Sequence, residues 1–286
     1  MINTSTHICA IIGNPVEHSL SPLIHNAAFN ERGLNYIYCA FRVLDKNLMN
    51  AINGFRALEQ FRGLSVTIPH KINCMPYLDW IEDGASFTGS INTVLKEGDL
   101  LKGYNTDGLG AMKAFKEARI DMDGKKILIL GTGGVARGIS FSLLQISSPL
   151  YITIAGRTPQ NVTRLENDLK KLNKAPIRTS TFAYNDLKSE IVNADILIHC
   201  TSVGMWPNVE ETPIAAELLH RELIVFDTIY TPLKTRLIMN AEEKGCMVIP
   251  GLDMFINQAC LQFKIWTKTD APKEVMRKVA IEALKN

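Results

Sequence analysis

An α/β fold of mainly parallel sheets, divided between two units, is what this sequence predicts, and three observations carry the prediction. Strand-length apolar runs alternate with helical-period segments along the 286 residues, the alternation that lays helices on the faces of parallel sheets. One such run, Ile127-Leu128-Ile129-Leu130, enters Gly131-Thr132-Gly133-Gly134-Val135-Ala136 and then a helical segment, the context of a phosphate-binding turn. The last two helical segments, 255–267 and 272–284, have no strand left to cover.

The first unit opens with a strand over 7–12 and a helix over 22–32, with Ser21 as N-cap and Pro22 at the first helical position. A strand at 36–43 and a helix at 48–61 follow. The next strand, 64–68, turns Leu64, Val66 and Ile68 one way and Ser65 and Thr67 the other. Pro69 ends its ladder, so His70 and Lys71 emerge at the carboxyl end, the edge where open α/β sheets bind ligands. A hairpin of 91–95 and 100–103 turns at Glu97-Gly98-Asp99.

The second unit follows a helix at 109–118. Strands at 127–130, 150–155, 196–200, 224–226 and 247–249 alternate with helices at 135–145, 161–172 and 234–244, a doubly wound Rossmann-type sheet. The final helices are expected to pack across the interdomain face and partly return to the first unit. The expected domains are therefore 1–108 with 253–286, and 109–252.

Composition excludes several classes. With 46% hydrophobic and 21% charged residues the chain reads as a soluble globular protein. A net charge of +2, spread without a basic stripe, argues against nucleic acid. No apolar run approaches the ~20 residues of a membrane helix. The first residues lack a basic region followed by an apolar core, so a cytoplasmic protein is expected. Six cysteines without C-x-x-C spacing read as reduced core residues, and six histidines show no zinc pattern. Monomer and homodimer are both compatible with the composition.

Gly131 permits the tight turn, Gly133 lets the backbone approach a pyrophosphate, and small Ala136 allows close helix packing. The next strand ends in Ala155-Gly156-Arg157-Thr158, with no acid to hold a ribose hydroxyl. Arg157 can instead form a planar fork with a 2′-phosphate, and Thr158 can add a hydroxyl, so NADP is favoured over NAD. Ser19 and Ser21, at a helix N-terminus, offer two hydroxyls to a small anion. Lys71 and Asp107 supply an ammonium and a carboxylate, the groups that move a proton beside a hydride transfer.

Several motifs in order carry a resemblance. They are Gly13-Asn14-Pro15, His18-Ser19-Leu20-Ser21-Pro22, Ser65-Val66-Thr67-Ile68-Pro69-His70-Lys71, Ile91-Asn92-Thr93 and Asn105-Thr106-Asp107-Gly108. The glycine turn, Arg157-Thr158, Thr201-Ser202-Val203-Gly204-Met205, Asp227-Thr228-Ile229-Tyr230, Gly251 and Gln258 continue the series. Over essentially its whole length the sequence resembles the shikimate dehydrogenase family.

That resemblance implies a substrate domain formed by the N-terminal part and the last helices, hinged to a nucleotide domain. It implies reversible NADPH-dependent reduction of 3-dehydroshikimate to shikimate, with Lys71 and Asp107 as the catalytic pair. It further implies that Ser19 and Ser21 hold the substrate carboxylate, and that Thr67, Asn92, Asp107, Tyr230 and Gln258 bind ring hydroxyls. Asp83, Gly131, Thr132, Gly133, Gly134, Val135, Arg157, Thr158, Thr228 and Gly251 would line the cofactor.

Asn161 stands where the family often has a basic residue, and two further positions depart from its pattern: Ser65 stands where Asn is common, and Gly156 replaces the Asn of an Asn-Arg-Thr motif. Both keep open a quinate/shikimate dehydrogenase with broader NAD(P) use. A non-catalytic nucleotide sensor is the rival of another class, opposed by the presence of Lys71 and Asp107. His70 is expected at the rim and His199 as a satisfied core histidine. Met205 and Trp206 are expected in a loop near the nicotinamide or in plain packing, and Lys170, Lys171 and Lys174 on a solvated helix face.

Overall fold

The computed structural model describes residues 2–285, and the chain divides into two compact units. One runs to Thr106 and resumes at Ile256; the other is Asp107–Phe255. The boundaries expected after residues 108 and 252 differ from these by a few residues. Both observed crossings fall at or within helices, which apolar patterning alone does not divide.

The first unit begins with β1 (His7–Gly13), α1 (Ser21–Glu31), β2 (Tyr36–Arg42), α2 (Leu48–Ala57) and β3 (Phe61–Val66). It continues with α3 (His70–Asn73), β4 (Trp80–Ile81), α4 (Asp83–Thr88), β5 (Thr93–Glu97) and β6 (Leu100–Tyr104). Its strand order is β2-β1-β3-β5-β6-β4. β1 runs parallel to β2 and β3, while β5 lies antiparallel to β3 and β6, so this sheet is mixed.

Four local readings need correction here. The helix expected over 48–61 ends at Ala57, because Leu58 turns extended and Phe61 enters the sheet as a fully buried side chain. The next strand is 61–66 rather than 64–68. Residues 67–70 form a turn closed by His70 N–H donating to Thr67 O (2.9 Å), which leaves Ile68 exposed. Leu20, not Ser21, occupies the N-cap of α1, with no side-chain cap; Ser21 is its first helical residue and is buried. His70 is no rim residue: it is fully buried, with Nε2 2.7 Å from Val43 O.

The second unit contains α5 (Asp107–Glu117), β7 (Lys126–Leu130), α6 (Gly134–Ile146), β8 (Tyr151–Ala155), α7 (Pro159–Lys170), β9 (Ile177–Ser180) and α8 (Tyr184–Asn193). β10 (Ile196–His199), β11 (Ile224–Asp227), α9 (Arg236–Glu243) and β12 (Met247–Ile249) complete the sheet. Its order is β12-β11-β10-β7-β8-β9, with every pair parallel. That is a doubly wound sheet whose order reverses between β7 and β10, the switch point at whose carboxyl edge such sheets bind ligands. Apolar strand runs make it possible: Ile127, Ile129, Ile152, Ile154, Ile196 and Ile198 are all fully buried. β9 and α8 have no counterpart in the sequence reading, since Arg178 and Thr179 leave β9 little apolar signal.

α10 (Gly251–Thr267) carries the chain back to the first unit, and α11 (Lys273–Lys285) packs on α1. Trp266 Nε1 donates to Val94 O (2.9 Å), and Gly63 on β3 leaves the room the indole occupies. All six cysteines are free; Cys9, Cys74 and Cys246 are buried, whereas Cys39, Cys200 and Cys260 are only half-buried. Among the described residues, no helix is long and apolar enough to cross a membrane.

Candidate active site

In the first unit, backbone hydrogen bonds gather the polar segments at the carboxyl ends of β1 and β3. Asn14 N–H donates to Ile68 O (2.9 Å), Val66 N–H to Asn92 O (2.8 Å) and Ile91 N–H to Lys71 O (2.8 Å). The loop leading to Ser19, the turn bearing Thr67, the short helix bearing Lys71 and the segment bearing Asn92 are thereby fixed to one another. Ser19 Oγ also accepts from Ser21 N–H (3.3 Å). Lys71 is half-buried, on α3.

Buried side chains add a second layer. Asn92 Oδ1 accepts from Thr106 N–H (2.9 Å) and Thr93 Oγ1 (2.7 Å), while Nδ2 donates to Thr106 Oγ1 (2.9 Å) and Gln258 Oε1 (3.4 Å). With both ends of the amide engaged, its orientation is set by the fold. Ser65 is tied up similarly: its hydroxyl accepts from Tyr38 Oη (2.6 Å) and donates to Gln262 Oε1 (3.0 Å). Gln262 Nε2 in turn donates to Asn92 O (3.2 Å) and Thr93 Oγ1 (3.0 Å).

Against this cluster lies His25, fully buried and stacked on Tyr38 at 4.6 Å. Among the described residues neither ring nitrogen has a hydrogen-bond partner. Burial pushes its imidazole down to about 3, and the Gln262 side chain opposes this only in part.

The second unit carries a candidate cofactor turn built from backbone. Gly131 sits at φ +113°, and a Cβ there would stand 2.9 Å from Cys200 O. Gly133 is the N-cap of α6 and faces open space, with no atom within 4 Å of an added Cβ. No side chain caps this 13-residue helix, so the N–H groups of its first turn remain for an anion. These features fit a dinucleotide pyrophosphate. Arg157 and Thr158 are exposed at the start of α7. At Gly156 a Cβ would meet Val162 Cγ2 at 2.6 Å and Thr132 Cγ2 at 3.0 Å, so its bareness lets Thr132 close over that turn.

Asp107 heads α5 in the second unit and is 5% exposed. Burial first, and the Asp107 charge second, push the Tyr230 hydroxyl up to about 12; its ring stacks on Phe255 at 4.2 Å. The Cys200 thiol is pushed up by burial, with Asp227 and Asp107 adding to the effect. Gly251 opens α10 where a Cβ would lie 2.2 Å from Ile229 O, and Thr228 Oγ1 donates to His199 O (2.9 Å).

Of the expected substrate residues, Ser19, Ser21, Thr67, Lys71, Asn92 and Gln258 belong to the first unit, and Asp107 and Tyr230 to the second. Asp83 is exposed at the start of α4 in the first unit, whereas the other expected cofactor residues lie in the second. Sequence reasoning missed Tyr38, Thr93, Thr106 and Gln262. Thr106 stands inside a motif already singled out, but nothing in the sequence ties Tyr38 or Gln262 to Ser65. His199 is, as expected, a satisfied core histidine. Trp206 and Met205 are exposed, and Lys170 and Lys171 face solvent beside Glu166 and Asp168.

Three family models match the chain. They are the shikimate dehydrogenase substrate binding domain over residues 11–94, shikimate / quinate 5-dehydrogenase over 111–227, and the shikimate 5'-dehydrogenase C-terminal domain over 251–281. A shikimate dehydrogenase (NADP(+)) of Moorella thermoacetica is 42% identical over 286 residues, covering 99% of this chain and 95% of that protein. A shikimate dehydrogenase crystallised with NADP+ matches with a TM-score of 0.93 at 40% identity, covering 100% of this chain and 98% of its own. A shikimate 5-dehydrogenase from Listeria monocytogenes, in complex with shikimate and NAD, matches at 0.89 and 37% identity, with 97% of each chain covered.

Proposed function

The chain belongs to the shikimate dehydrogenase family, and from that premise we propose that it catalyses the reversible NADPH-dependent reduction of 3-dehydroshikimate to shikimate. The observation that carries this reading is the interlocked set of Asn92, Thr106 and Gln258 beside the Lys71 turn. Such a set suits a small ring with several hydroxyls. In this reading the first unit, with the last helices, binds the substrate and the second binds NADP. The six free cysteines accord with work in the cytoplasm.

Ser19 and Ser21 hold the ring carboxylate; Thr67, Asn92, Asp107, Tyr230 and Gln258 take its hydroxyls. The raised Tyr230 phenol stays protonated near neutrality and serves as a donor. NADPH, when bound, supplies the hydride. The N–H groups of Thr132 to Val135 receive its pyrophosphate while Gly131, whose own N–H donates to Ala155 O (2.8 Å), shapes the turn; Arg157 and Thr158 take its 2′-phosphate, and Asp83, Thr228 and Gly251 its remaining contacts. As negative charge develops on the carbonyl oxygen, the Lys71 ammonium stabilises it and gives it a proton. Asp107 is the carboxylate paired with Lys71 in the proposed reaction and takes a ring hydroxyl.

Parallel kinetics with shikimate and quinate, each with NADP and NAD, test the reading. The expected result is a clear preference in kcat/KM for shikimate with NADP. Equal or better turnover of quinate favours the broader enzyme, a reading to which the internally engaged Ser65 hydroxyl gives some support. NADPH binding without turnover of either substrate removes the catalytic reading.

A further inference from the structure

At the carboxyl ends of β10 and β11, a chain of hydrogen bonds runs through a histidine that the proposed chemistry does not use. His199 and Asp227 are fully buried, and Thr235 is 1% exposed. His199 Nδ1 lies 3.0 Å from Asp227 Oδ1, and His199 Nε2 lies 2.6 Å from Thr201 Oγ1. Asp227 also accepts from Ile229 N–H (3.0 Å) and from Thr235 Oγ1 (2.6 Å). Thr235 Oγ1 in turn caps α9 by accepting from Ile238 N–H (3.2 Å).

One tautomer satisfies every member. Asp227 as a carboxylate only accepts, so the proton sits on Nδ1 of His199. Thr201 Oγ1 already accepts from Val203 N–H (3.2 Å), which leaves its hydroxyl proton for Nε2. The imidazole therefore joins the loop that begins at Thr201 to the Asp227–Tyr230 segment, beside the backbone bond from Trp206 N–H to Thr231 O (3.1 Å). That segment is held on two further sides. Thr228 gives both its N–H (3.1 Å) and its hydroxyl (2.9 Å) to His199 O, and Gly251 brings the start of α10 against the Ile229 carbonyl. An apolar side chain could fill the same space but could make neither link.

We propose that His199 is a positioning residue for the cofactor. Its Nδ1–H tautomer locks the Thr201 loop to the Thr228–Tyr230 segment, so that Thr228 and Gly251 present a fixed surface to the nicotinamide half of the dinucleotide. This rests on the assignment of Thr228 and Gly251 to NADP made above. Asparagine is the conservative replacement, because its amide carries a donor and an acceptor on one plane, as this tautomer does.

The test is the NADPH dissociation constant, read from nicotinamide fluorescence without substrate, in the native protein and in His199→Leu, His199→Asn and Thr201→Val. Loss of both links in His199→Leu is expected to weaken NADPH about tenfold, and His199→Asn to recover to within about threefold of native. Thr201→Val removes only the outer link and is expected to cost about threefold; it also serves if the leucine variant does not fold. A purely structural role would lower the melting temperature of folded variants and leave the dissociation constant unchanged, which overturns the proposal, as does asparagine binding no better than leucine. Native protein that does not bind NADPH overturns the proposed function and this assignment with it; native binding indifferent to the variants overturns this assignment alone.

Discussion

In the first unit two side chains assigned to the substrate sit in a hydrogen-bonded lattice: Asn92 engages Thr93, Thr106 and Gln258, and Gln262 links Ser65 to Thr93. In the second unit the groups assigned to the cofactor are mostly backbone at Gly131 to Gly134, flanked by exposed Arg157 and Thr158. The contrast teaches how each end tolerates change. A residue of the side-chain lattice serves folding and binding together, whereas an exposed residue beside a glycine turn serves binding alone.

The largest expected effect falls on the one residue of the first unit whose role is chemical. Lys71→Ala is expected to lower kcat by ~10²- to 10⁴-fold with a smaller change in the KM for shikimate. Steady-state kinetics on folded protein check this, and near-normal turnover would sink the assignment.

Next comes Asn92→Ala, which takes the acceptor from the Thr106 N–H and from the Thr93 hydroxyl proton in a buried setting. Each such loss costs about 1–3 kcal/mol, so urea unfolding should report a clear loss of stability together with a raised KM for shikimate. Arg157→Ala should behave in the opposite way. Exposed and removed from the lattice, it is expected to leave stability within about 0.5 kcal/mol while raising the KM for NADPH roughly tenfold and sparing that for NADH. If Arg157→Ala destabilised the protein as much as Asn92→Ala, the distinction between the two ends would collapse.

The last effect shows only in acid. Two buried histidines stand in different surroundings: His199 is hydrogen-bonded on both nitrogens, and His25 is stacked on Tyr38 with its imidazole held down to about 3. Unfolded, His25 takes up a proton below its ordinary value of 6.5, while the folded protein does not until about 3. Its contribution to stability therefore falls as pH drops through that window, by about 1.4 kcal/mol per pH unit. Chemical denaturation of both proteins between pH 6.5 and pH 4 checks this: His25→Phe should lessen the loss of stability per pH unit by about that amount.

Much of the second unit was legible in sequence because its strands are continuous apolar runs buried on both faces and its turn needs glycine at φ +113°. Those are local demands, and they leave local marks. The first unit was read less accurately between residues 57 and 70. There Phe61 joins the sheet through burial against distant residues, and Gly63 is required by Trp266, far along the chain. β9 and α8, with weak apolar patterning, went unread for the same reason.

By itself the sequence determined the α/β class, the dinucleotide turn, the absence of an acid beside Arg157 and the residue types available for proton transfer. Each is carried by a short run of neighbours whose backbone or charge requirement shows in the residue type. Only the tertiary structure decided that Ser65 spends its hydroxyl on Tyr38 and Gln262, that Asn92 is locked by Thr106 and Gln258, and that His199 bridges Thr201 to Asp227. Most of those bonds join groups distant in sequence. A hydrogen-bonding side chain has no preferred partner until the fold removes water and leaves one within reach.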